Sequence, residues 1–344
     1  MPSVPFASVL SHAATLVSRL TTVRPREAKF TIGLDVGSTS VKAVALGPRK
    51  GLGARPLAGQ HVLPLQAGQE ADASEAIKAA VGALKLPTRS VNVAVSGQWV
   101  IMRVVEMPVM KPHELKQALP FEAQRYLPFN VQDVVLDGVV LGPAAPKKQW
   151  VLIVACKKEL IERRMDWLKR AGCEAALIDV DALALTNAFQ ASGAAGRRDG
   201  IRALINVGGQ HTNLVILQGE LPYLVRDIPW GADKLIRGVA EQLGAEPAAV
   251  SDSLVKGQVA PELSRALDAT AQALADELQL SFDYFENRFG QPPEEVCVSG
   301  GVGQSAVFLD SLKRHLTQAL TPWTPGRGLT GQFAVAYGLA LRSA

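Results

Sequence analysis

The chain has 344 residues, nearly half of them apolar and a fifth charged, with a formal net charge of +4. Those totals exclude a disordered polymer and a single small core, and they suit about two domains of ordinary size. The basic excess is small, spread along the chain and free of interleaved aromatics, so it leaves no nucleic-acid footprint.

The three cysteines, Cys156, Cys173 and Cys297, form no CxxC pair. An odd, scattered set argues against a disulfide framework and a structural zinc or iron–sulfur site, and fits a reducing compartment. No apolar run is long enough to span a bilayer. In residues 1–28, Ser11, His12, Ser18 and Arg19 break up any signal-peptide layout. Arg19, Arg24 and Arg26 oppose only Glu27, and Leu10, Leu16, Val17, Leu20 and Val23 could form a helical stripe. This segment reads either as a membrane-surface helix or as an untethered extension ending at Pro25, and the second is expected.

From residue 29 the pattern is regular. Residues 30–34 and 41–46 read as strands, 48–53 as a glycine- and proline-rich turn, and 55–65 as a third strand. Helical spacing over 73–84 precedes a strand at 91–95. A small separate unit then opens at MPVMKP. It holds a helix at 113–126 that Pro120 should kink or restart, strands at 134–141 and 150–155, and a charged helix at 157–171. A strand at 175–180 and a helix at 182–191 lead into SGAAGRRDG (192–200), which reads as a linker. A long helix is expected at 263–289 and a final one at 332–342.

After the linker the opening repeats. IGLDVGSTSVKAVALG (32–47) aligns in constant register with the stretch beginning ALINVGGQHTNL at Ala203. Leu34 meets Ile205, Asp35 meets Asn206, Gly37 meets Gly208 and Val44 meets Val215. Further on, NVAVSG (92–97) is matched by EVCVSGG (295–301). Two strand–turn motifs recurring in the same order imply two halves built on one plan.

Glycine turns between strands expose backbone N–H groups that bind anions. The first turn offers Gly37, Ser38, Thr39 and Ser40, with Lys42 as a cation. Asp35 at the strand end could hold Mg²⁺ through water. The second turn offers Gly208, Gly209, Gln210, His211 and Thr212. Two such turns facing each other would grip a polyphosphate. In VSGGVGQS (298–305) a strand ends in Gly300–Gly301, followed by Val302, where a flat purine–ribose could lie against the backbone.

The acid–x–glycine hairpin, its duplicate and the strand ending in two glycines resemble the actin-like ATPase superfamily. Within it the chain closely resembles the PilM family of type IV pilus assembly. The likeness extends through FEAQRYLPFNVQDVVLDGVVLG (121–142), VLIVACKKELIERRMDWLKRAGCEAALIDVDALAL (151–185), RDIPWGADKLIRGVAEQLG (226–244) and LTGQFAVAYGLALR (329–342). It covers residues from about 29 onward. The resemblance implies an α/β, actin-like (RNase H-like) two-lobed fold of duplicated mixed sheets with a small FtsA-like extra subdomain. The first lobe would take 29–107 and 174–195, the inserted subdomain 108–173 and the second lobe 196–330. The C-terminal helix at 331–344 would pack back on the first lobe.

The resemblance also implies ATP or ADP with Mg²⁺ in the cleft. Lys234 and Glu277 would join the two turns, Asn206, Gly300, Gly301 and Val302 in the nucleotide site. The implied partner is the N-terminal cytoplasmic peptide of PilN. It would sit in a groove near Glu122, Tyr126, Leu127, Pro128 and Phe129, although Tyr126 and Phe129 serve equally well as subdomain core. Other inner-membrane pilus proteins and the cytoplasmic motor ATPase would connect through the same scaffold. The implied location is cytoplasmic, on the inner membrane through those partners.

Asn206 stands where the superfamily usually has aspartate. An amide neither offsets Mg²⁺ charge nor accepts a proton at neutral pH, so at most slow ATPase activity is expected. Asp179 and Asp181 lie where relatives place a catalytic acid. Asp179 is the candidate, and Asp181 is expected to cap the following helix. Glu277 and Ser281 share a helix face that contacts adenosine in relatives, or else face solvent. A sugar-type kinase is the alternative enzyme, with Asp179 as general base, but no tryptophan, asparagine and acid cluster marks a sugar pocket. The related cytoplasmic domain of type II secretion systems would be expected to continue into a membrane span.

Overall fold

A computed structural model describes residues 30–48, 55–65, 72–193, 200–257 and 260–342. The expected extension at 1–28, most of the turn at 48–53 and most of the linker at 192–200 lie outside those residues.

Strands β1 (Thr31–Val36), β2 (Ser40–Leu46) and β3 (Leu57–Pro64) form an antiparallel meander. In β2 the residues Val41 and Ala43–Leu46 are all buried, the near-continuous burial of a strand covered on both faces. Helix α1 (Ser74–Ala83) covers one face with Ile77, Ala80 and Val81. It leads to β4 (Ser90–Val95), parallel to β1, and β8 (Glu174–Val180) lies parallel beyond it.

The second half repeats this plan. Strands β9 (Ile201–Val207), β10 (Thr212–Gln218), β11 (Leu221–Ile228), β12 (Glu295–Gly300) and β13 (Ala319–Pro322) form a sheet of order β11-β10-β9-β12-β13. The first sheet has the order β3-β2-β1-β4-β8, so β1 corresponds to β9 and β4 to β12. The directions correspond as well, antiparallel on the meander side and parallel on the other. The sequence repeat is therefore a repeat of sheet topology.

Strands β5 (Val100–Pro108), β6 (Val134–Pro143) and β7 (Lys148–Lys157) make a third, antiparallel sheet of order β5-β7-β6. Helix α2 (Pro112–Ala123) packs on it through Leu115 and Leu119. Three readings change here. Strand β5 had not been expected, and it carries this sheet back to Val100. Helix α3 (Lys158–Arg170), expected within the small unit, instead buries Leu160, Ile161 and Leu168 in the first sheet's core beside Ile77 and Ile178. Its apolar stripe matches that surface, and its charged residues other than the buried Arg164 face out. Helix α2 passes through Pro120 without restarting and ends at Ala123, short of the expected stop at 126.

Helix α4 (Asp181–Ser192) follows β8, and helices α5 (Ala232–Leu243), α6 (Pro247–Lys256), α7 (Pro261–Phe289) and α8 (Ala306–Lys313) form the core of the second half with its sheet. The last helix, α9 (Ala334–Ala340), packs on β1 and α4. Asn92 on β4 fixes it by donating to the carbonyls of Leu339 and Arg342 at 2.8 and 2.9 Å.

One apolar core runs beneath both halves. It joins Leu185 and Phe189 of α4, Val215 and Cys297 of the second sheet, Met102 and Leu152 of the third, and Tyr337 of α9. Phe189 meets Trp323 edge-on at 5.2 Å. Trp150 and Tyr223 flank Phe289 at 5.3 and 5.4 Å, fastening the third sheet to the second half.

Candidate functional site

The first turn joins β1 to β2. The Gly37 N–H donates to the Ser40 carbonyl at 3.1 Å and closes it. The N–H groups of Ser38 and Thr39 donate to no backbone carbonyl among the described residues. Asp35 and Lys42 are paired across the hairpin and form an ion pair at 3.1 Å, with most of both side chains out of solvent.

The second turn has the same form. The Gly208 N–H donates to the His211 carbonyl at 3.0 Å, and the Gly209 and Gln210 N–H groups take no backbone partner among the described residues. The first N–H groups of α5 hold this turn, Ala232 donating to Gly208 O and Asp233 to Gly209 O, both at 2.9 Å. Lys234 is exposed on the same first helical turn, and Gln210 and His211 are exposed as well. Thr212 is different: it is fully buried and its hydroxyl donates to the Trp230 carbonyl at 2.8 Å. Its expected phosphate role yields to a structural one.

The two turns meet across the cleft. A Cβ added to Gly209 would lie 2.8 Å from both Ser38 Oγ and Thr39 Oγ1, closer than real Cβ atoms approach, so a side chain there would have to push those two side chains aside.

Asp179 and Asp181 separate in character. Asp179 is buried, its Oδ1 accepts the Val180 N–H at 2.8 Å, and its Oδ2 lies 3.2 Å from the Arg342 guanidinium without hydrogen-bond alignment. Burial pushes its pKa up and Arg342 opposes the shift. This carboxylate anchors the C-terminal segment, so the catalytic reading of Asp179 loses its geometric basis. Asp181 opens α4, and no side chain caps that helix, so the capping reading fails too. Asp181 keeps part of its surface open. Burial of its carboxylate, with the Asp35 charge second, raises its pKa to about 7; a Ser96 hydrogen bond and Arg164 pull it down, while Asp227 pushes it up.

Arg164 lies beneath this group. It comes from α3, is buried, and donates from Nη1 to the Val36 carbonyl at 3.3 Å, just before the first turn. Burial lowers its pKa, and Asp181 and Asp35 oppose that. Its Nε is buried without a partner.

Gly300 and Gly301 do different jobs. Gly300 has φ +96°, and a Cβ there would lie 2.7 Å from Val207 N, so it permits tight packing of β12 on β9. Gly301 faces open space, and Val302 starts a short 3-10 turn. Glu277, expected at the adenosine, pairs with Arg226 at 2.6 Å, and Arg226 also donates to the buried Ser281 hydroxyl at 2.9 Å.

Uncommitted amides on two facing turns, beside Lys42 and Lys234, suit a polyanion. Among the described residues no group of three or more His, Cys, Asp or Glu side chains could by itself hold a metal ion. Magnesium would therefore need oxygens from phosphate and water, with Asp35 the carboxylate closest to the first turn.

In the expected partner segment, Glu122 Oε1 accepts from the Tyr126 hydroxyl at 3.0 Å and from Arg125 at 3.2 Å. Leu127 packs into the α2 core, and Tyr126 and Pro128 are exposed. The Lys157 ammonium lies 3.9 Å from the Trp99 ring centroid and 5.3 Å from that of Phe129. Sequence reasoning missed Trp99, Arg164, Asn213 and Asp227. Only Asn213 carried a signal: the repeat places it on the position of Lys42.

No helix among the described residues is long and apolar enough to cross a membrane. The family model for type IV pilus assembly protein PilM matches residues 33–324. A solved PilM-PilN type IV pilus biogenesis complex is similar at a TM-score of 0.78 and 24% identity, covering 92% of this chain and 98% of that one. The ethanolamine utilization protein EutJ from Carboxydothermus hydrogenoformans is similar at 0.55 and 15% identity, with 97% and 98% covered. The cytoplasmic domain of EpsL, an inner-membrane component of the Vibrio cholerae type II secretion system, is similar at 0.50 and 14%, with 92% and 96% covered. With duplicated actin-like sheets and a family match over most of its length, the chain belongs to the PilM family of type IV pilus assembly proteins.

Proposed function

We propose that this protein is an actin-like scaffold of the type IV pilus inner-membrane complex, holding ATP or ADP with Mg²⁺ between its two turns and the N-terminal peptide of PilN in the groove between its first lobe and its third sheet. One observation carries the nucleotide reading: Gly209 lies against Ser38 and Thr39, so the two sets of free amides converge. The partner reading rests on family membership and on likeness to a solved PilM-PilN complex.

In the cleft, Lys42 would turn from Asp35 to a phosphate oxygen, freeing the Asp35 carboxylate for a magnesium-bound water. Bound nucleotide would supply the phosphates that complete the metal's coordination. Gly301 offers the open backbone for the base. Asp181 takes over from Asp179 as the acid that would position a water, because a pKa of about 7 suits a general base near neutral pH. Neutral Asn206 keeps turnover slow and favours binding over chemistry. Nucleotide acts on the scaffold only to the extent that it binds one lobe arrangement better than another.

Calorimetric titration tests both parts separately. Mg–ADP and Mg–ATP are expected to bind with one site per chain, and Asp35→Ala and Lys42→Ala to weaken that binding at least fivefold. Unchanged nucleotide affinity in both variants would reject the cleft reading. The PilN peptide is expected to bind one to one, and no binding by a correctly paired peptide would reject the partner reading.

A further inference from the structure

Four polar side chains form a row along the second sheet, and the row ends on the first lobe. The Ser299 hydroxyl at the end of β12 lies 3.2 Å from Asn206 Oδ1 and 3.3 Å from the Ile205 carbonyl, two acceptors that share its one proton. Asn206 Nδ2 on β9 donates to Asn213 Oδ1 at 3.2 Å, and Asn213 Nδ2 on β10 donates to Asp227 Oδ1 on β11 at 2.7 Å. Asp227 Oδ2 then accepts the backbone N–H of Gly97, beyond β4 in the opposite lobe, at 2.6 Å. Gly97 lies two residues past the end of β4 and has φ +88°.

The chemistry fixes the direction of the row. A backbone N–H can only donate and a carboxylate can only accept, so Asp227 collects donors from both sides. Asn213 must offer it Nδ2, which leaves Asn213 Oδ1 toward Asn206. Asn206 must then donate in turn, leaving its own oxygen for Ser299. Each middle position needs a group that donates on one side and accepts on the other. An amide does this and a carboxylate cannot. The asparagine at 206 is therefore required by the row, whatever it costs in metal affinity.

We propose that Asp227 is an interlobe latch, and that Asn206 and Asn213 are its relay, transmitting the state of the second phosphate turn to the Gly97 amide of the first lobe. Gly208 and Gly209 lie between the two relay residues in sequence, so movement of that turn shifts both amides. The latch carries the charge-assisted bond, about twice as strong as a neutral one, and it lies at the mouth of the cleft beside Ser96, whose hydroxyl holds Asp181. The inference rests on the nucleotide reading only in taking the 208–211 turn as a phosphate turn, and its test contains no nucleotide, so the two can fail separately.

Hydrogen exchange of the Gly97 amide in the full-length protein is the measurement. In Asp227→Ala and Asp227→Asn that amide is expected to exchange at least tenfold faster than in the parent, while strands β9 and β10 stay protected. Asn206→Asp should have a similar effect although residue 206 makes no contact with the first lobe, because Asn213 must turn its Nδ2 toward the new carboxylate and away from Asp227. In the Asp227→Ala background, Asn206→Asp should add less than twofold, a non-additivity that general loosening would not produce. Should Asp227→Ala fail to fold, Asp227→Asn and Asn206→Asp carry the test. Gly97 exchange within twofold of the parent in a folded Asp227 variant overturns the latch, and the same result in folded Asn206→Asp overturns the relay.

Discussion

Gly209 lies against the Thr39 and Ser38 side chains across the cleft, so an added methyl group would have to displace them. Contact between the turn tips means that a phosphate lodged between them requires the lobes to part. Gly209→Ala should force the same separation without ligand. The expected cost is about 1–3 kcal/mol, the usual range for overpacking, read as a lower urea midpoint with an unchanged slope. Thr39→Ala, combined with it, should recover about half of that loss. Full stability in Gly209→Ala alone would show that the turns are not in contact in solution.

The two acids at the end of β8 should respond oppositely to substitution. Asp179→Ala strands the buried Arg342 guanidinium and is expected to cost about 3–5 kcal/mol, as breaking a buried pair does. Asp181→Asn removes a carboxylate crowded by Asp35 and Asp227, so it should leave stability equal or higher while abolishing any slow ATP turnover. Urea unfolding and single-turnover phosphate release separate the two. A stable Asp179→Ala with lost turnover would return the catalytic role to Asp179.

How far the sequence predicts these roles depends on the range of the forces involved. The turns at 37–40 and 208–212 are local, set by glycine and hydroxyl spacing, and so they could be read directly. The duplicated sheets followed from the repeat, because β1 and β9 carry the same apolar alternation into the same turn. The unit between them was harder. Strand β5 follows β4 after a short loop and looks like its continuation, and only its pairing with β7 separates the two. Thr212 looked like a phosphate ligand because its hydroxyl adjoins the turn, but the strand pleat points it inward to Trp230 O. Asp179 and Asp181 have the same spacing to any ligand in sequence. What distinguishes them is Arg342, distant in sequence, which only the packing of α9 brings to one of them. Asn206 looked like a weakened metal ligand. Its partners Ser299, Asn213 and, through it, Asp227 come from three other strands, so its relay role depends on the sheet and not on the motif.

The pH dependence of stability should carry the signature of Asp181. Its folded pKa of about 7 lies above the ordinary 3.8, so the folded state keeps this proton where the unfolded chain has released it. Stability linked to this group is therefore greatest below about pH 4, falls as pH rises from about 4 to about 7, and is flat above. After solvent screening the loss should be on the order of 1 kcal/mol or more. Denaturant midpoints measured every half unit should show this downward slope in the parent and a shallower one in Asp181→Asn, where the raised carboxyl of Asp179 still contributes. A slope unchanged by the substitution would assign the titration elsewhere.

The partner segment divides into residues that shape the surface and residues free to contact a peptide. Glu122 is engaged by Tyr126 and Arg125, and Leu127 is core, so their substitution should act mainly through local stability. Trp99 and Phe129 flank the Lys157 ammonium, an aromatic pair around a cation where α3 begins. A peptide docking there would gain apolar area from both rings, and aromatic anchors carry most of the energy in such contacts. Phe129→Ala is expected to weaken PilN-peptide binding about tenfold or more with a thermal midpoint near the parent's, and Trp99→Ala to weaken it as much while also lowering the midpoint, because its ring packs on the first sheet's core. Lys157→Met, which keeps the aliphatic stem but removes the charge, should weaken binding less. Glu122→Gln should lower the midpoint with little change in affinity per folded molecule. The reverse ranking, with Glu122→Gln abolishing binding and both aromatic variants binding normally, would move the docking surface from the start of α3 to the exposed face of α2.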